Sequence, residues 1–363
     1  MRKILLVGNS EIVIYKFRKE IIEGFVKEGY EVAVAFPVLK NDKREYFDSI
    51  GVKYYDVKID RRGKNPFKDF ILVKDFKKIL EDFSPNIVLS YTIKPNLYLA
   101  YLQKKYRYNF FPTITGFGTA INNGGFLAET IFHLYSHFFK NAQCVFVQNE
   151  SAKTQLINKT KIKNTKIVVT PGSGVNVDEF QYMEPDNSNV TTFLYLGRIM
   201  KEKGFSNLID AAKHFENYEN IKFLAMGFVE ENYKDTISNY VFKNLEIIPY
   251  SENVKQVIKQ STAIIHPSFH EGMSNVLLEA ASMGRPIIAS KIPGCQEIVD
   301  VGKNGFLFEA KNSEMLIDSI NEFLCLNPSQ VREMGLYGRR KVEKEFSRNI
   351  VFEVVNARIE DSL

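Results

Sequence analysis

Residues 268–280 read S-F-H-E-G-M-S-N-V-L-L-E-A, a sequence typical of a loop that leads into a helix. We expect the helix to begin near Gly272. The first backbone N–H groups of a helix have no carbonyl partner four residues earlier, so they point outward at the positive end of the helix dipole. Ser274 has the short polar side chain that suits such a start. This stretch therefore predicts a seat for an anion, with Glu271 beside it and Glu279 two helical turns further on.

On either side of this stretch, short apolar runs rich in β-branched residues alternate with longer helical patterns. Such alternation predicts parallel sheets that are covered by helices on both faces. The breaker cluster T-P-G-S-G at 170–174 divides the chain into two series. The first series has candidate strands at 4–7, 32–36, 53–57, 87–90, 111–115, 144–148 and 166–169, and the second at 191–196, 221–226, 245–248, 263–266, 286–289 and 305–308. We therefore predict two doubly wound α/β domains, 1–170 and 171–346, that bind ligands beyond the carboxyl ends of their strands.

The length and composition are typical of a globular protein with two domains. At 363 residues the chain is long enough for two domains that each build a core. No tract approaches the ~18 consecutive apolar residues of a membrane-spanning helix, and the apolar run after Lys3 is too short for a signal peptide, so we expect a cytoplasmic location. The three cysteines show no C-x-x-C spacing, and no Asp-x-Asp occurs. These patterns indicate neither disulfides nor a bound metal.

The charge is unevenly distributed along the chain. Residues 1–170 contain 28 Lys and Arg against 16 Asp and Glu, whereas residues 171–363 contain 20 against 27. A basic first half predicts an anionic partner, either a membrane surface or a phosphate-bearing acceptor. Nucleic acid is the alternative, but the basic residues are scattered over many elements and no nucleic-acid-binding signature is present. We therefore expect no nucleic-acid partner.

Two motifs together resemble one enzyme family. The sequence E-G-M-S-N-V-L-L-E-A from Glu271 resembles the Glu-x7-Glu signature of the retaining nucleotide-sugar glycosyltransferases of family 4, and L-G-R-I-M-K-E-K-G at 196–204 is similar to their G-R-x-x-x-x-K-G signature. Taken singly, the first could be a solvated helix edge and the second an ordinary positive surface. The resemblance implies the GT-B fold, in which two Rossmann-like domains face a central cleft. It also implies that a final helix at 347–363 packs back on the first domain.

The resemblance assigns the donor site to the second domain. By this resemblance, Arg198 and Lys203 are the cations that stabilise the departing nucleotide diphosphate, Glu271 is the acid beside the donor sugar, and Glu279 binds the ribose. The further donor-binding positions that it implies are Gly197, Gly272, Met273, Ser274, Asn275 and Val254 in the second domain, and Gly8 in the loop of the first domain that faces the donor sugar. The loop before Val254 is equally typical of an ordinary strand-to-helix turn. The implied reaction is front-face transfer with retention, from a UDP-sugar and without a metal or other cofactor.

By the same resemblance, the acceptor lies against the first domain. Its candidate ligands follow predicted strands or lie in the first helix: Asn9, Ser10, Arg18, Lys94, Gly116 and Gly118. Asn9 and Ser10 are also suited to capping a helix, and Arg18 to a solvated helix face. Thr115 stands where relatives usually carry His or Glu before the first glycine, so a backbone contact is the expected role of this loop. The expected acceptor is an undecaprenyl-diphosphate-linked sugar.

Aromatic and basic residues of the first domain predict contact with a membrane. A helix at 126–139 would carry an apolar stripe formed by Leu127, Ile131, Leu134, Tyr135 and Phe138. Basic loops lie at 61–64 and 104–107. Together these features predict docking on an anionic bilayer, whereas the stripe alone is more typical of core packing. We therefore expect a peripheral protein on the inner face of the cell membrane that helps to assemble a surface polysaccharide or a lipid-linked glycan.

Two alternatives remain open from the sequence. One is a glycosyltransferase of the same architecture whose acceptor is a soluble sugar or a small metabolite. The other is a protein that binds nucleotide sugars without catalysis, against which the complete set of motif residues argues. The motifs are compatible with a hexose or an N-acetylhexosamine as the transferred sugar. His266 and His270 have no carboxylate partner that the sequence can place, and we expect both to be structural.

Overall fold

The computed structural model describes residues 1–37, 41–60, 63, 65–117, 121, 124–185, 189–230, 233–234 and 242–363. The chain divides into two compact units. Unit 1 comprises Met1–Ser173 and Arg348–Leu363, and unit 2 comprises Gly174–Ser347. The chain first passes from unit 1 to unit 2 between Ser173 and Gly174. This point lies in the breaker cluster, where proline and glycine interrupt both strand and helix patterns. Within the described ranges, no helix is both long enough and apolar enough to span a bilayer.

Unit 1 contains a parallel sheet of seven strands in the order β3-β2-β1-β4-β5-β6-β7. The strands are β1 (Lys3–Val7), β2 (Glu31–Phe36), β3 (Lys53–Asp56), β4 (Ile87–Tyr91), β5 (Asn109–Ile114), β6 (Val145–Val147) and β7 (Ile167–Val169). In β1, an interior strand, Leu5 is in register with Ala33 of β2 on one side and with Val88 of β4 on the other. All seven strands predicted for the first half are present.

Helices cover both faces of this sheet, because successive strand residues point to opposite sides. In β1, Leu5 and Val7 pack into one buried cluster, whereas Ile4 and Leu6 pack into another. The described helices of this part of the chain are α1 (Phe17–Lys27), α2 (Asn41–Ser49), α3 (Pro66–Phe83), α4 (Ile93–Tyr106), α5 (Gly125–Phe138) and α6 (Glu150–Lys159). The alternation of side chains thus gives unit 1 two cores, one on each face of the sheet.

Unit 2 contains a second parallel sheet, of six strands in the order β10-β9-β8-β11-β12-β13. The strands are β8 (Thr191–Leu196), β9 (Ile221–Met226), β10 (Leu245–Ile248), β11 (Ala263–His266), β12 (Ile287–Ser290) and β13 (Gly305–Phe308). The described helices are α7 (Phe205–His214), α8 (Val254–Lys259), α9 (Asn275–Ser282), α10 (Ser313–Leu324) and α11 (Pro328–Glu345). The predicted fold class, two α/β domains with doubly wound parallel sheets, is confirmed.

The last helix, α12 (Arg348–Glu360), belongs to unit 1 and packs on α1. Gly24 allows the close approach, since a Cβ at this position would lie 2.5 Å from the ring of Phe352. The rings of Phe25 and Phe352 meet edge to face with centroids 5.3 Å apart. Nη1 of Arg348 donates to both carboxylate oxygens of Glu20, at 2.7 and 2.6 Å. The helix is therefore held to unit 1 by apolar packing and by a buried ion pair.

Candidate active site

Three loops meet at the carboxyl edge of the unit 2 sheet. They follow β8, β11 and β12, which are neighbours in the sheet. Gly204, after β8, lies so close to the loop after β11 that an added Cβ would be 1.8 Å from the carbonyl oxygen of Pro267. The N–H of Ser274 donates to the carbonyl of Gly294, after β12, at 2.9 Å. These contacts fix the three loops relative to one another.

The loops bring a lysine, a glutamate and a histidine together. Nζ of Lys203 lies 2.6 Å from Oε1 of Glu271, and Nε2 of His266 lies 2.9 Å from the same oxygen. The side chains of Lys203 and Glu271 are only 22% and 14% exposed. Burial raises the pKa of the Glu271 carboxyl, but the charge of Lys203 and the hydrogen bond from His266 outweigh it and hold this pKa well below its ordinary value. Lys203 and Glu271 therefore form an ion pair at neutral pH. Glu271 is thus the carboxylate partner of His266 that the sequence could not place.

The helix after Glu271 begins later than predicted. It starts at Asn275, and the Oγ of Ser274, its N-cap, accepts a hydrogen bond from the backbone of the first turn. The predictions of a helix start near Gly272 and of two helical turns between the glutamates are therefore wrong. Glu271 lies in the loop, whereas Glu279 lies in the second turn of α9 and is buried.

The backbone at this helix start is only partly available to an anion. The N–H of Ser274, one of the amides predicted to face the anion, is bonded to the carbonyl of Gly294 within the protein. Met273 packs in the hydrophobic core of unit 2. The Oδ1 of Asn275 is buried and has no hydrogen-bond partner within the part of the chain that the structure describes. Phosphate binding by the amides of Gly272, Met273 and Asn275 stays a prediction.

Arg198 is paired with a different carboxylate. Its Nη1 lies 2.9 Å from Oε1 of Glu230, and its side chain is 46% exposed. The hydroxyl of Tyr195 donates to the carbonyl of Arg198 at 2.6 Å and so fixes the backbone just after β8. The carbonyl of Gly197 lies 1.7 Å from the position that a Cβ on Gly227 would occupy. Arg198 is therefore at the same sheet edge as Lys203 but outside the buried ion pair.

Two exposed aromatic rings follow the neighbouring strands β9 and β10. Phe228 and Tyr250 stack with their centroids 4.4 Å apart and their planes 28° from parallel. Val254, the predicted donor contact in this region, is buried in the unit 2 core. The two rings, and not the Val254 side chain, offer a flat surface to a ligand. Sequence reasoning missed Phe228, although an aromatic residue two positions after a strand end was a readable signal.

Polar side chains of unit 1 lie beyond β1 and β4, which are paired strands. Oδ1 of Asn9 and Oγ1 of Thr92 are buried, and neither has a hydrogen-bond partner among the described residues. Thr92 also has a φ of 74°, which is strained for a β-branched residue. Gly8 bonds to β2 through its N–H, and the Oγ of Ser10 accepts a hydrogen bond from the N–H of Val13. Unsatisfied buried polar atoms call for a ligand or a water, so this edge is a second candidate site.

The two predicted acceptor-binding cations are already engaged within unit 1. Arg18 is 3% exposed, donates to the Oγ of Ser173 at 2.9 Å and lies over the ring of Tyr91 at 4.3 Å. It is therefore not part of a solvated helix face, which corrects that interpretation. Binding of an acceptor phosphate by Arg18 stays a prediction. Nζ of Lys94 donates to the carboxylate of Asp69 at 2.6 Å.

The glycine loop after β5 is described only in part. Gly116 has a φ of 123°, a conformation that favours glycine, and Gly118 lies outside the described residues. Among the side chains that the structure describes, no group of three or more His, Cys, Asp or Glu could hold a metal ion. The role of this loop in acceptor binding and the metal independence of the reaction stay predictions.

Comparisons with known proteins identify the family. Residues 177–341 match the family model described as glycosyl transferases group 1, and residues 3–149 match the one described as glycosyl transferase 4-like. The chain is 28% identical over 223 residues to the capsular polysaccharide biosynthesis glycosyltransferase CapM of Staphylococcus aureus, a match that covers 56% of the chain and 58% of that relative. The match thus spans less than two thirds of the length of CapM.

A second relative and two solved structures match over more of the chain. The relative is the N,N'-diacetylbacillosaminyl-diphospho-undecaprenol alpha-1,3-N-acetylgalactosaminyltransferase of Campylobacter jejuni, with 26% identity over 347 residues and 89% of each chain covered. A glycosyltransferase of Rickettsia africae superposes with a TM-score of 0.81 at 20% identity, covering 99% of this chain and 98% of that one. HepE of Anabaena, in complex with UDP, also superposes with a TM-score of 0.81, at 14% identity and with full coverage of both chains. At these identities the two structures establish the fold alone. The chain therefore belongs to the glycosyltransferases, with a 4-like domain followed by a group 1 domain, and it has the GT-B fold that its motifs predicted.

Proposed function

We propose that the protein is a retaining glycosyltransferase that moves a hexose or an N-acetylhexosamine from a UDP-sugar to a lipid-diphosphate-linked glycan. The observation that carries this proposal is the ion pair between Lys203 and Glu271 at 2.6 Å, in the loops beside the start of α9. HepE, which shares the fold, binds UDP. The Campylobacter relative is named for an undecaprenol-diphosphate-linked acceptor. These two relatives support the choice of nucleotide and of acceptor.

The proposed reaction uses the unit 2 site directly. The bond between the anomeric carbon and the UDP oxygen breaks while the acceptor hydroxyl attacks the same face, and the leaving diphosphate takes the acceptor's proton. Lys203 and Arg198 neutralise the charge that grows on the diphosphate, so we propose no metal. Glu271 accepts a hydrogen bond from a hydroxyl of the donor sugar, and Glu279 binds the ribose. Retention follows because attack and departure share one face of the sugar.

Two further features extend the proposed substrate site. We propose that the stacked rings of Phe228 and Tyr250 contact the uracil, because an exposed aromatic face suits a flat base. We also propose that Asn9 and Thr92 bind a sugar hydroxyl. Such a hydroxyl would satisfy polar atoms that have no partner among the described residues. The rings lie in unit 2 and the two polar side chains in unit 1.

A transfer assay tests the proposed function. The protein is incubated with a panel of UDP- and GDP-sugars and with undecaprenyl-diphosphate-linked sugars, in excess EDTA. We expect transfer from a UDP-hexose or a UDP-N-acetylhexosamine, with the anomeric configuration of the donor retained. Preferential transfer to a free sugar would instead establish a soluble acceptor. UDP binding without transfer from any nucleotide sugar would establish a non-catalytic binding protein.

We further propose that unit 1 docks on an anionic bilayer at the cytoplasmic face. The α5 stripe does not form this surface, because Ile131 and Tyr135 are buried in the core. An apolar face lies instead at the start of α3, where Phe67, Phe70 and Ile71 are all exposed. Residues three and four apart lie on one side of a helix, so the three side chains form one patch. An exposed aromatic patch of this kind marks an interaction surface.

Basic side chains beside this patch favour an anionic membrane as its partner. Lys68 is 61% exposed and pairs with Asp60 at 3.0 Å, and the ammonium of Lys74 lies 5.5 Å from the ring of Phe70. Lysines whose stems run along apolar side chains are typical of membrane-surface helices. The predicted basic loop with Arg61, Arg62 and Lys64 falls outside the described residues. It therefore supports the docking surface only through the positive charge that its sequence carries.

Replacing Phe67, Phe70 and Ile71 together with serine is expected to weaken binding to vesicles that contain phosphatidylglycerol by about 100-fold, since three apolar side chains no longer enter the bilayer. Sedimentation with vesicles at low salt measures the partition. The control is Tyr218→Ser with Val301→Ser, which removes two exposed apolar side chains from unit 2. Equal partition of the triple variant and the control would contradict the docking surface.

A further inference from the structure

His266 connects the glutamate of the site to the start of α9. It is the last residue of β11 and is 4% exposed. Its Nε2 lies 2.9 Å from Oε1 of Glu271 and 3.2 Å from Oγ of Ser274, whereas its Nδ1 is buried and has no partner in the described parts of the chain. A ring that carries its proton on Nε2 can donate to the carboxylate and needs no acceptor at Nδ1. The contacts therefore favour this tautomer.

Both donors to the glutamate engage the same oxygen. Nζ of Lys203 and Nε2 of His266 contact Oε1 of Glu271, and no described side chain donates a hydrogen bond to Oε2. A carboxylate that is held through one oxygen presents the other in a fixed direction. Because an ionised carboxylate oxygen only accepts hydrogen bonds, Oε2 is suited to bind a hydroxyl.

The histidine also bears on how many carboxylate oxygens face the lysine, because it holds the oxygen that Lys203 contacts. Without it, the carboxylate of Glu271 would be free to turn both oxygens toward the ammonium of Lys203. Opposite charges attract strongly in a site of low dielectric constant. If both oxygens faced the ammonium, Glu271 would compete more strongly with the donor diphosphate for Lys203. The single-oxygen arrangement therefore affects what the lysine can bind as well as how the glutamate is oriented.

We infer that His266 is a positioning residue that holds Glu271 through Oε1, so that Oε2 faces a hydroxyl of the donor sugar and Lys203 stays available to the diphosphate. The identity of the ligand in this inference rests on the proposed function. The geometry does not rest on the proposed function, because it follows from contacts within the protein. His266 acts through Glu271 and does not touch the reacting atoms.

Kinetics of paired variants test this role. His266→Phe keeps a ring but removes the donor, and His266→Gln keeps an N–H near the position of Nε2. We expect kcat/KM to fall about 30-fold in His266→Phe and to recover to within about 3-fold of wild type in His266→Gln. In a Glu271→Ala background, His266→Phe should cause no further loss, because its effect passes through the carboxylate. The same loss in both backgrounds would show a packing role and overturn the inference.

Nitrogen NMR of the histidine rings provides a test that needs no turnover. The chain has five histidines, and the signals of His266 are those absent from His266→Gln. We expect Nε2 to carry a proton, which it donates to Glu271. A neutral ring protonated on Nδ1 would overturn the inference, even if His266→Phe does not fold. If Nε2 carries the proton but the protein transfers no sugar, the proposed function is refuted. The contact between His266 and Glu271 would still stand.

Discussion

Replacing Lys203 with methionine is expected to lower kcat for sugar transfer by about 10³-fold, the size of effect seen when one stabilising donor is removed from a transition state. Methionine keeps the length of the side chain but removes the charge that lies 2.6 Å from Glu271. Under the proposed mechanism, the departing diphosphate then loses one of its two cations as its negative charge grows. Steady-state kinetics at saturating donor measures the loss.

Lys201→Met is the matched control for this variant. Lys201 is exposed in the same short 3-10 turn as Lys203, so its loss is expected to leave turnover unchanged. Lys203→Met also leaves the buried carboxylate of Glu271 without its cation, which destabilises the fold. Adding Glu271→Gln should recover the free energy of unfolding but not the activity. Near-wild-type turnover in Lys203→Met would remove this lysine from the mechanism.

The strands could be predicted because a parallel strand buried on both faces is a short apolar run, which is a local property of the sequence. Five of the six strands of unit 2 have the predicted bounds, and β12 begins and ends one residue later than predicted. The ends of the strands depend on pairing with neighbouring strands, so the local sequence predicts them less well. In unit 1, β5 begins at Asn109, two residues before the predicted start, because its pairing with β4 extends to Ile87 opposite Asn109.

The sequence could predict which residues form the site but not how they are arranged. The motifs brought attention to Lys203 and Glu271, but their contact joins residues 68 apart and depends on how two loops cross. His266 is close in sequence to Glu271, yet no periodicity shows that the loop between them turns back on itself. The error in the helix start had a readable signal, since Ser274 is a stronger N-cap than Gly272.

Burial of a charged side chain was the hardest feature to predict. Arg18 has lysines on both sides in the first helical segment, and charged residues are mostly exposed. Its hydroxyl partner, Ser173, lies 155 residues away, at the end of the first segment of unit 1. Such a contact is set by tertiary structure alone, so local pattern predicted a surface residue where the structure has a buried one.

Replacing Gly204 with alanine is expected to lower the free energy of unfolding by about 3 kcal/mol and kcat by about 100-fold. A Cβ at Gly204 would lie 1.8 Å from the carbonyl oxygen of Pro267, so the loop that carries Lys203 must move away from the loop that carries Glu271. Backbone lies on both sides of this contact, so no side chain can relieve it by changing its rotamer. Urea denaturation and steady-state kinetics measure the two effects.

Gly302→Ala separates this steric overlap from the cost of a left-handed backbone. Gly302 has a φ of 75°, close to the 67° of Gly204, but an added Cβ would have no atom within 4 Å. Its replacement is expected to cost about 1 kcal/mol and to leave kcat unchanged, because only the backbone preference is lost. The difference between the two variants therefore measures how strongly catalysis depends on the contact between the loops. Equal losses in stability and turnover for both variants would mean that backbone strain alone, and not the approach of Gly204 to Pro267, sets the geometry of the site.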